Sequence, residues 1–492
     1  MCKQLKGEKL KSIAAAALLV LMIFTFGCEN VTYPEESGAE SGGSRAAQDD
    51  LESRLPSYAP ESSDGSPVYE TFRIFATDTT PFYQEETTPG VISALIEQRN
   101  SYIKERYSVE VEVTKYPAAE LVNEVRMAAQ SDTPICDLVS LPADKAVLLY
   151  VNGALGDMNT LPGFDINESW FDKRNGTALA TNSTLYILPD PSCLYYDDIY
   201  TMFYNRDLLA ASGAQNPETL AAEGKWTWDA FDECVALAAA GVISRGSGDV
   251  EKDVFGFTAY YTDKNYPLVM WESCGEKMVD NTYKNPVRLG LEMSRITELA
   301  RFLNNSYNSR AKSTQSGNEA AASFEAGRLA FFCNKLEYLY ALRDGTGKGA
   351  KFGIVPMPKH NEEQSDYYCL VDSAALVMCI PKSMDNAGEQ QRRRACAVIS
   401  SVCGFAGDAL RDAYVSDMIA KYLMNNAEAV SLDMICESAS FDFAFVYGTG
   451  ITAVLEATVA PIYDYLDFGS WIENSINWRL DAFNKYCEAN FN

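Results

Sequence analysis

The pattern of apolar and polar positions predicts alternating strands and helices near the start of the folded chain. Apolar residues share one side of a strand predicted over 70–76, and valines alternate with glutamates in a second strand over 109–113. Thr88, followed by proline, predicts a helix start between them. A further helix is predicted over 118–130 and a buried strand over 135–141. This order predicts a parallel sheet and an α/β fold.

The rest of the chain continues as mixed helix and strand. Strands are predicted at 329–333, 352–355 and 374–380, and helices at 227–240, 286–303, 392–402, 415–424 and 471–486. In parallel sheets, ligands bind beyond the carboxyl ends of the strands. The loops that follow the first predicted strands carry Asp78 and the pair Asp144-Lys145, which are therefore candidate ligand contacts.

The N-terminus resembles the leader of bacterial lipoproteins. Four lysines precede an apolar run over 13–26, which is too short to span a membrane as a helix, and Gly27-Cys28 follows it. The resemblance implies cleavage before Cys28 and lipidation of its thiol, with residues 1–28 as signal peptide. Thr25 and Phe26 depart from the usual pattern. An ordinary signal peptide or an uncleaved anchor stays open.

The segment 29–67 is rich in Ser, Gly, Glu, Asp and Pro, which predicts a disordered tether. The body, 68–492, contains no second apolar run of spanning length. Removing the leader, with its four lysines and one glutamate, takes the formal charge from −27 to −30. That charge argues against nucleic acid or an anionic membrane surface as partner, and its simplest consequence is solubility.

Catalytic and metal-binding patterns are sparse. His360 is the only histidine, the eleven cysteines left after Cys2 and Cys28 show no Cys-x-x-Cys spacing, and no Gly-x-Ser-x-Gly elbow occurs. Residues 345–349 do not satisfy the phosphate-loop pattern. We expect no metal, no cofactor and no enzyme activity, although acidic residues are numerous enough to leave a two-carboxylate glycosidase open.

Six segments resemble motifs of extracellular solute-binding proteins of the maltose-binding type, and they share the order and spacing of that family. They are Met-Phe-Tyr-Asn-Arg-Asp-Leu-Leu at 202–209, Trp-Thr-Trp-Asp-Ala-Phe at 226–231, Trp-Glu-Ser-Cys-Gly at 271–275, Phe-Glu-Ala-Gly-Arg-Leu-Ala-Phe at 324–331, Gly-Ile-Val-Pro-Met-Pro at 353–358, and the strand with Ile-Pro-Lys-Ser within 372–384.

The resemblance implies the two-lobe, type II periplasmic-binding-protein fold, with a hinge between the lobes and a ligand cleft. Lobe 1 is placed at 68–190 plus 356–412, and lobe 2 at 191–355 plus 413–492. Such proteins are monomers that close on a ligand and deliver it to an ABC transporter permease. The implied location is outside the cytoplasm, anchored to the cell membrane through the lipidated Cys28 alone.

Candidate ligand-binding residues follow from positions that match the family pattern. Trp471 and Trp271 are the candidate stacking residues, and a place for Trp271 in the core of lobe 2 stays open. Glu337 stands where the family often has a stacking tryptophan, which argues against a maltose-like ligand. The full predicted set is Asp78, Asp144, Lys145, Tyr196, Asp197, Asp198, Trp271, Glu337 and Trp471.

The ligand class stays open at this stage. Sugar sites combine aromatic faces with carboxylates and amides, and such residues are available here. A carbohydrate, most simply an oligosaccharide, is the expected ligand. A cationic small molecule and a role as the sensing partner of a membrane receptor are the alternatives.

Overall fold

The computed structural model describes residues 51–61, 68–83, 90–181, 183–243, 254–257, 266–280, 288–289, 294–296, 298–299, 302, 317–344, 351–405, 407–422, 426–447 and 485. Cys28, most of the predicted tether and Trp471 lie outside these residues.

The described strands are β1 (Glu70–Ala76), β2 (Val109–Lys115), β3 (Leu138–Pro142), β4 (Leu155–Gly156), β5 (Tyr200–Asn205), β6 (Phe255–Phe257), β7 (Val279–Asp280), β8 (Arg288–Leu289), β9 (Leu329–Lys335), β10 (Phe352–Val355), β11 (Cys369–Leu370), β12 (Leu376–Pro381) and β13 (Ala439–Ser440).

The described helices are α1 (Val91–Tyr107), α2 (Ala118–Ser131), α3 (Ala143–Val151), α4 (Lys173–Ala178), α5 (Arg206–Ser212), α6 (Pro217–Ala222), α7 (Trp228–Ile243), α8 (Tyr266–Ser273), α9 (Gly317–Glu325), α10 (Tyr338–Asp344), α11 (Glu389–Gly404), α12 (Gly407–Lys421), α13 (Asn426–Glu437) and α14 (Phe443–Tyr447).

The sheet of the first lobe has the strand order β2-β1-β3-β12-β4. β1 runs parallel to both β2 and β3, with Ile74 opposite Val113 and Leu138. The parallel sheet predicted from the alternating pattern is therefore confirmed. β12 arrives from far along the chain and runs antiparallel to β3 and β4. The first helix begins at Val91 after Gly90, without a side-chain cap, rather than at Thr88 as predicted.

The sheet of the second lobe has the order β10-β5-β9-β6, and β5 runs antiparallel to both of its neighbours. The turn before β9 depends on Gly327, whose positive φ of 70° favours glycine. In the register of β5 and β9, Tyr200 stands opposite Lys335. The start of β5 and the end of β9 therefore meet at one edge of the sheet, and this edge carries the candidate site.

The chain passes between the lobes through several short segments. Leu188 pairs with Met378 of β12 before the chain enters β5, and Ile199 pairs with Val371 where it returns. β11 pairs in parallel with β13, which belongs to a later crossover. Backbone segments from different crossovers thus pair with one another in the region between the two sheets.

Two observations bear on the predicted lobe boundaries. The predicted change of lobe at 412/413 falls inside α12, and Leu410 of that helix packs against Ile96 of α1 in the first lobe. Tyr447 of α14, which was assigned to lobe 2, packs with its ring 5.8 Å from the ring of Tyr150 on α3. All the lobe boundaries stay a prediction.

Residues 51–61, predicted as part of a disordered tether, are folded against the first lobe. Leu55 and Tyr58 are buried in its core, and the guanidinium of Arg54 lies 2.6 Å from the carboxylate of Glu168. The prediction of disorder over this stretch is wrong, because apolar residues three and four positions apart form one packing face that the polar composition concealed.

Candidate functional site

A lysine shared by two carboxylates lies at the edge where β5 begins and β9 ends. The ammonium of Lys335 is 3.0 Å from Oδ1 of Asp198 and 2.8 Å from Oε1 of Glu337. The side chains of Asp198 and Lys335 are 22% and 21% exposed, and that of Glu337 is 53% exposed. We call Asp198, Lys335 and Glu337 the site cluster. It is held by both strands and reaches solvent.

The charges of the site cluster depend on one another. Burial raises the pKa of Asp198, and the neighbouring ammonium of Lys335 opposes that rise. Burial lowers the pKa of Lys335, but its bonds to Glu337 and Asp198 outweigh burial and hold the pKa above its ordinary value. Lys335 therefore stays protonated, and the cluster offers an ammonium that donates hydrogen bonds beside carboxylates that accept them.

A segment that we interpret as part of the hinge connects the site cluster to the first lobe. The backbone N–H of Asp372 donates to the carbonyl of Asp198 over 2.9 Å, and the carboxylate of Asp372 accepts from the hydroxyl of Tyr200 over 2.7 Å. The next residue, Ser373, accepts from the backbone N–H of Asp144 over 3.0 Å. Two consecutive hinge residues thus join the second-lobe cluster to the start of α3.

Of the first-lobe candidates, Asp78 lies in a loop as predicted, whereas Asp144 and Lys145 lie in the first turn of a helix rather than in the predicted loop. Asp144 and Lys145, in the first turn of α3, form an ion pair of 2.7 Å, and both side chains are 40% exposed. Asp78 follows β1 and accepts from the backbone N–H and hydroxyl of Thr80, which closes a tight turn. The structure brings Asp144 next to the hinge, whereas the carboxylate of Asp78 accepts hydrogen bonds from within its own loop.

Asp197 is adjacent to Asp198 but has a different environment. Its carboxylate accepts hydrogen bonds from the hydroxyls of Tyr340 on α10, at 2.8 and 3.0 Å, and of Tyr414 on α12, at 2.7 Å. Burial raises the pKa of Asp197, while these two hydroxyls act to lower it. Because both tyrosines already occupy the carboxylate, we interpret Asp197 as a tie between α10 and α12 rather than a ligand contact.

Two of the aromatic candidates are buried in this structure. Trp271 is 0% exposed within α8, every residue of which is buried, so its ring packs in the core, the alternative that the sequence left open. Tyr196 is 2% exposed and packs against Tyr414 with ring centroids 4.9 Å apart. The remaining stacking candidate, Trp471, lies outside the described residues.

Lys335, Asp372 and Tyr200 were not predicted as site residues. Asp198 and Lys335 are 137 positions apart, and only the register of β5 with β9 brings them together. The sequence signal for Lys335 was its position two residues before Glu337, at the end of a predicted strand.

No group of metal-binding side chains occurs among the described residues. His360 lies beside Arg295, whose guanidinium is 2.8 Å from Nδ1 and 2.6 Å from Nε2 of the ring. Nε2 of His360 is also 3.2 Å from the carboxylate of Glu298. Burial and Arg295 lower the pKa of His360. Within the described ranges, no helix combines the length and the apolar character that crossing a membrane requires.

Solved structures with the same fold include those of bacterial sugar-binding proteins. The cyclic alpha-maltosyl-1,6-maltose binding protein of Arthrobacter globiformis is 12% identical with a TM-score of 0.56, covering 87% of this chain and 99% of that protein. The sugar-binding protein MalE of Xanthomonas citri is 14% identical with a TM-score of 0.56, covering 85% and 98%. MalE of Listeria monocytogenes, solved with maltose, is 12% identical with a TM-score of 0.53, covering 83% and 98%.

These similarities confirm the predicted two-lobe α/β fold of type II periplasmic binding proteins. No curated protein sequence matches the chain. The sequence profile of the family described as bacterial extracellular solute-binding protein matches residues 99–400, which is more than half of the chain. The chain therefore belongs to the bacterial extracellular solute-binding proteins.

Proposed function

We propose that this protein captures a carbohydrate, most simply an oligosaccharide, outside the cytoplasm and delivers it to an ABC permease. The observation that carries the proposal is the site cluster. Asp198, Lys335 and Glu337 place hydrogen-bond donors and acceptors at a solvent-reaching edge beside the hinge. The exposed pair Asp144-Lys145 lies next to the same hinge from the other lobe.

The chemistry of a sugar suits such an edge. Each hydroxyl both donates and accepts, so carboxylates and an ammonium can bind several hydroxyls at once. The sugar-binding names of proteins with the same fold support the proposal. Carboxylates from one lobe and an ion pair from the other would let a single ligand hold the two lobes closed, as a ligand-driven population shift.

A thermal-shift screen with monosaccharides, oligosaccharides, amino acids and polyamines tests the ligand class. A ligand at 100 times its dissociation constant stabilises the fold by about 2.7 kcal/mol, which such a screen detects. We expect an oligosaccharide to give the largest shift and to be recovered intact by chromatography. Recovery of cleaved sugar would instead favour a two-carboxylate glycosidase, and a shift with polyamines alone would contradict the carbohydrate proposal.

A cationic small molecule is the second candidate, and the composition of the site cluster favours it. Two carboxylates share one ammonium, so an incoming cation could take the place of Lys335 beside Asp198 or Glu337. A protein of this fold could also act as the ligand-sensing partner of a membrane receptor instead of delivering its ligand to a permease. Co-purification of the detergent-solubilised protein with a permease favours transport, and co-purification with a histidine kinase favours sensing.

The membrane tether is a separate part of the proposal. The charged start, the apolar run and Gly27-Cys28 support lipidation of Cys28. We expect Cys28→Ala to release the protein from the membrane fraction or to leave its leader uncleaved. A variant that fractionates and migrates like the wild type would refute the lipid anchor, with Cys2→Ala as the matched control that leaves processing unchanged.

A further inference from the structure

The crossover strand β13 is held by side chains of the first lobe. The guanidinium of Arg174 donates to the carbonyls of Glu437 and Ala439 over 2.8 and 2.7 Å. Asn175 donates to the carbonyl of Ala439 over 3.1 Å and accepts from the backbone N–H of Phe441 over 3.0 Å. The backbone of the crossover is therefore fixed on its first-lobe side.

The second lobe holds the same few residues. The ammonium of Lys277 donates to the hydroxyl of Ser440 over 2.8 Å and to the carbonyl of Phe441 over 3.0 Å. Lys277 also pairs with the carboxylate of Glu272, at the end of α8, and the hydroxyl of Ser440 donates to the same carboxylate oxygen. We call Arg174, Asn175, Glu272, Lys277 and Ser440 the clasp.

Glu272 is the unusual member of the clasp. It is 1% exposed, and its second carboxylate oxygen, Oε2, has no hydrogen-bond partner among the described residues. A buried, unpartnered carboxylate oxygen can take up a proton without losing a hydrogen bond. Protonation would remove the negative charge that faces Lys277 while leaving the side chain in place.

We propose that protonation of Glu272 loosens the second-lobe half of the clasp and thereby shifts the protein towards its open form. The clasp holds residues 439–441 from both lobes, so the lobes can rotate about this crossover only if one half gives way. The second-lobe half contains the protonatable carboxylate of Glu272, so its bonds are the ones that weaken on protonation. The proposal does not depend on the identity of the ligand.

The charges around Glu272 place the transition near neutral pH. Burial raises the pKa of Glu272 to about 7, Lys277 and the hydroxyl of Ser440 oppose the rise, and the buried Asp442 adds to it. Cys369 on β11 and Cys274 after α8 also face this carboxylate, and burial raises the pKa of both thiols, so they stay neutral. Burial raises the pKa of Asp442 as well, so Asp442 is the competing titrating group.

Small-angle X-ray scattering of the ligand-free protein between about pH 5 and about pH 8 tests the proposal. We expect a larger radius of gyration at the acidic end in the wild type. Glu272→Gln, which copies the protonated form, should give the expanded dimension at every pH. Lys277→Met, which removes the ammonium that bonds to Ser440 and Phe441, should likewise give the expanded dimension at every pH.

Two controls make the outcome decisive. Asp442→Asn should keep the wild-type response, and a response lost in Asp442→Asn but kept in Glu272→Gln would overturn the proposal. Ser440→Ala removes a hydroxyl that holds the pKa of Glu272 down but leaves Lys277 bonded to the carbonyl of Phe441. It should move the midpoint of the expansion to higher pH, so the proposal stays testable if the glutamine variant does not fold. A radius of gyration in the wild type that does not change with pH would refute the proposal.

Discussion

Two lysine–carboxylate clusters lie at crossovers between the lobes, and they differ in their access to water. In the site cluster, Lys335 lies between Asp198 and Glu337, and all three side chains reach solvent. In the clasp, Lys277 pairs with Glu272, a carboxylate that is almost completely buried. The same residue types therefore have different uses. An exposed cluster can exchange its internal bonds for a ligand, whereas a buried one fixes backbone and responds to protons.

Removing the lysine from each cluster should give the largest difference between the two clusters, measured as the loss of unfolding free energy. At about pH 8, Lys277→Met leaves a buried carboxylate unpaired and should lower the free energy of unfolding by roughly 3 kcal/mol, whereas Lys335→Met should cost about 1 kcal/mol or less. Urea denaturation measures both. Equal losses in the two variants would contradict the comparison.

The pH dependence of that loss has a definite sign. The folded-state pKa of Glu272 is raised to about 7, so the folded protein binds a proton that the unfolded chain does not bind between about pH 4.5 and about pH 7. Stability from this group is therefore present at low pH and falls as the pH rises through this window. The penalty of Lys277→Met should shrink towards about pH 5, because Glu272 becomes neutral.

The sequence predicted the fold more fully than the site. Alternation in β1 and β2 and the family motifs were sufficient for the two-lobe architecture, since each depends on local spacing. The partner of Asp198 depends on a strand register between segments 137 positions apart, which one sequence does not reveal. Trp271 is buried in α8, most of whose residues are apolar, and such an apolar run is itself a sign of burial.

Asp197 offers a second contrast, with its neighbour Asp198. Asp197→Asn weakens the bonds from Tyr340 and Tyr414 and should lower the free energy of unfolding by about 1–3 kcal/mol. We expect ligand affinity of the folded variant to change by less than about threefold. Urea denaturation and calorimetric titration measure the two effects. A large loss of affinity without loss of stability would return Asp197 to the binding site.

Glu337 should contribute less to ligand affinity than Asp198, because it is the most exposed member of the site cluster. Glu337→Gln should change ligand affinity by about fivefold or less, since an exposed charge contributes about 1 kcal/mol at most. The isosteric amide keeps a hydrogen-bonding group in place, so the change reports on charge. A loss of tenfold or more would make Glu337 a principal ligand contact.

Ionic strength should have the smallest effect if the ligand is a neutral sugar. Raising salt from about 0.1 M to about 1 M shortens the Debye length from about 10 Å to about 3 Å, which weakens attraction of a cation but hardly affects hydroxyl hydrogen bonds. We expect calorimetric titrations at the two salt concentrations to give nearly equal dissociation constants. A tenfold or greater weakening at high salt would favour the cationic ligand.

The site cluster as the ligand-binding edge is the central claim, and the affinity of Asp198→Asn tests it most directly. Calorimetric titration uses the compound that stabilises the wild type most in the thermal-shift screen, with circular dichroism to confirm that the variant is folded. Loss of a charge-assisted hydrogen bond, worth roughly 1.5–3 kcal/mol, predicts an affinity about 10- to 150-fold weaker. A dissociation constant equal to that of the wild type would remove Asp198 from the site and contradict the account.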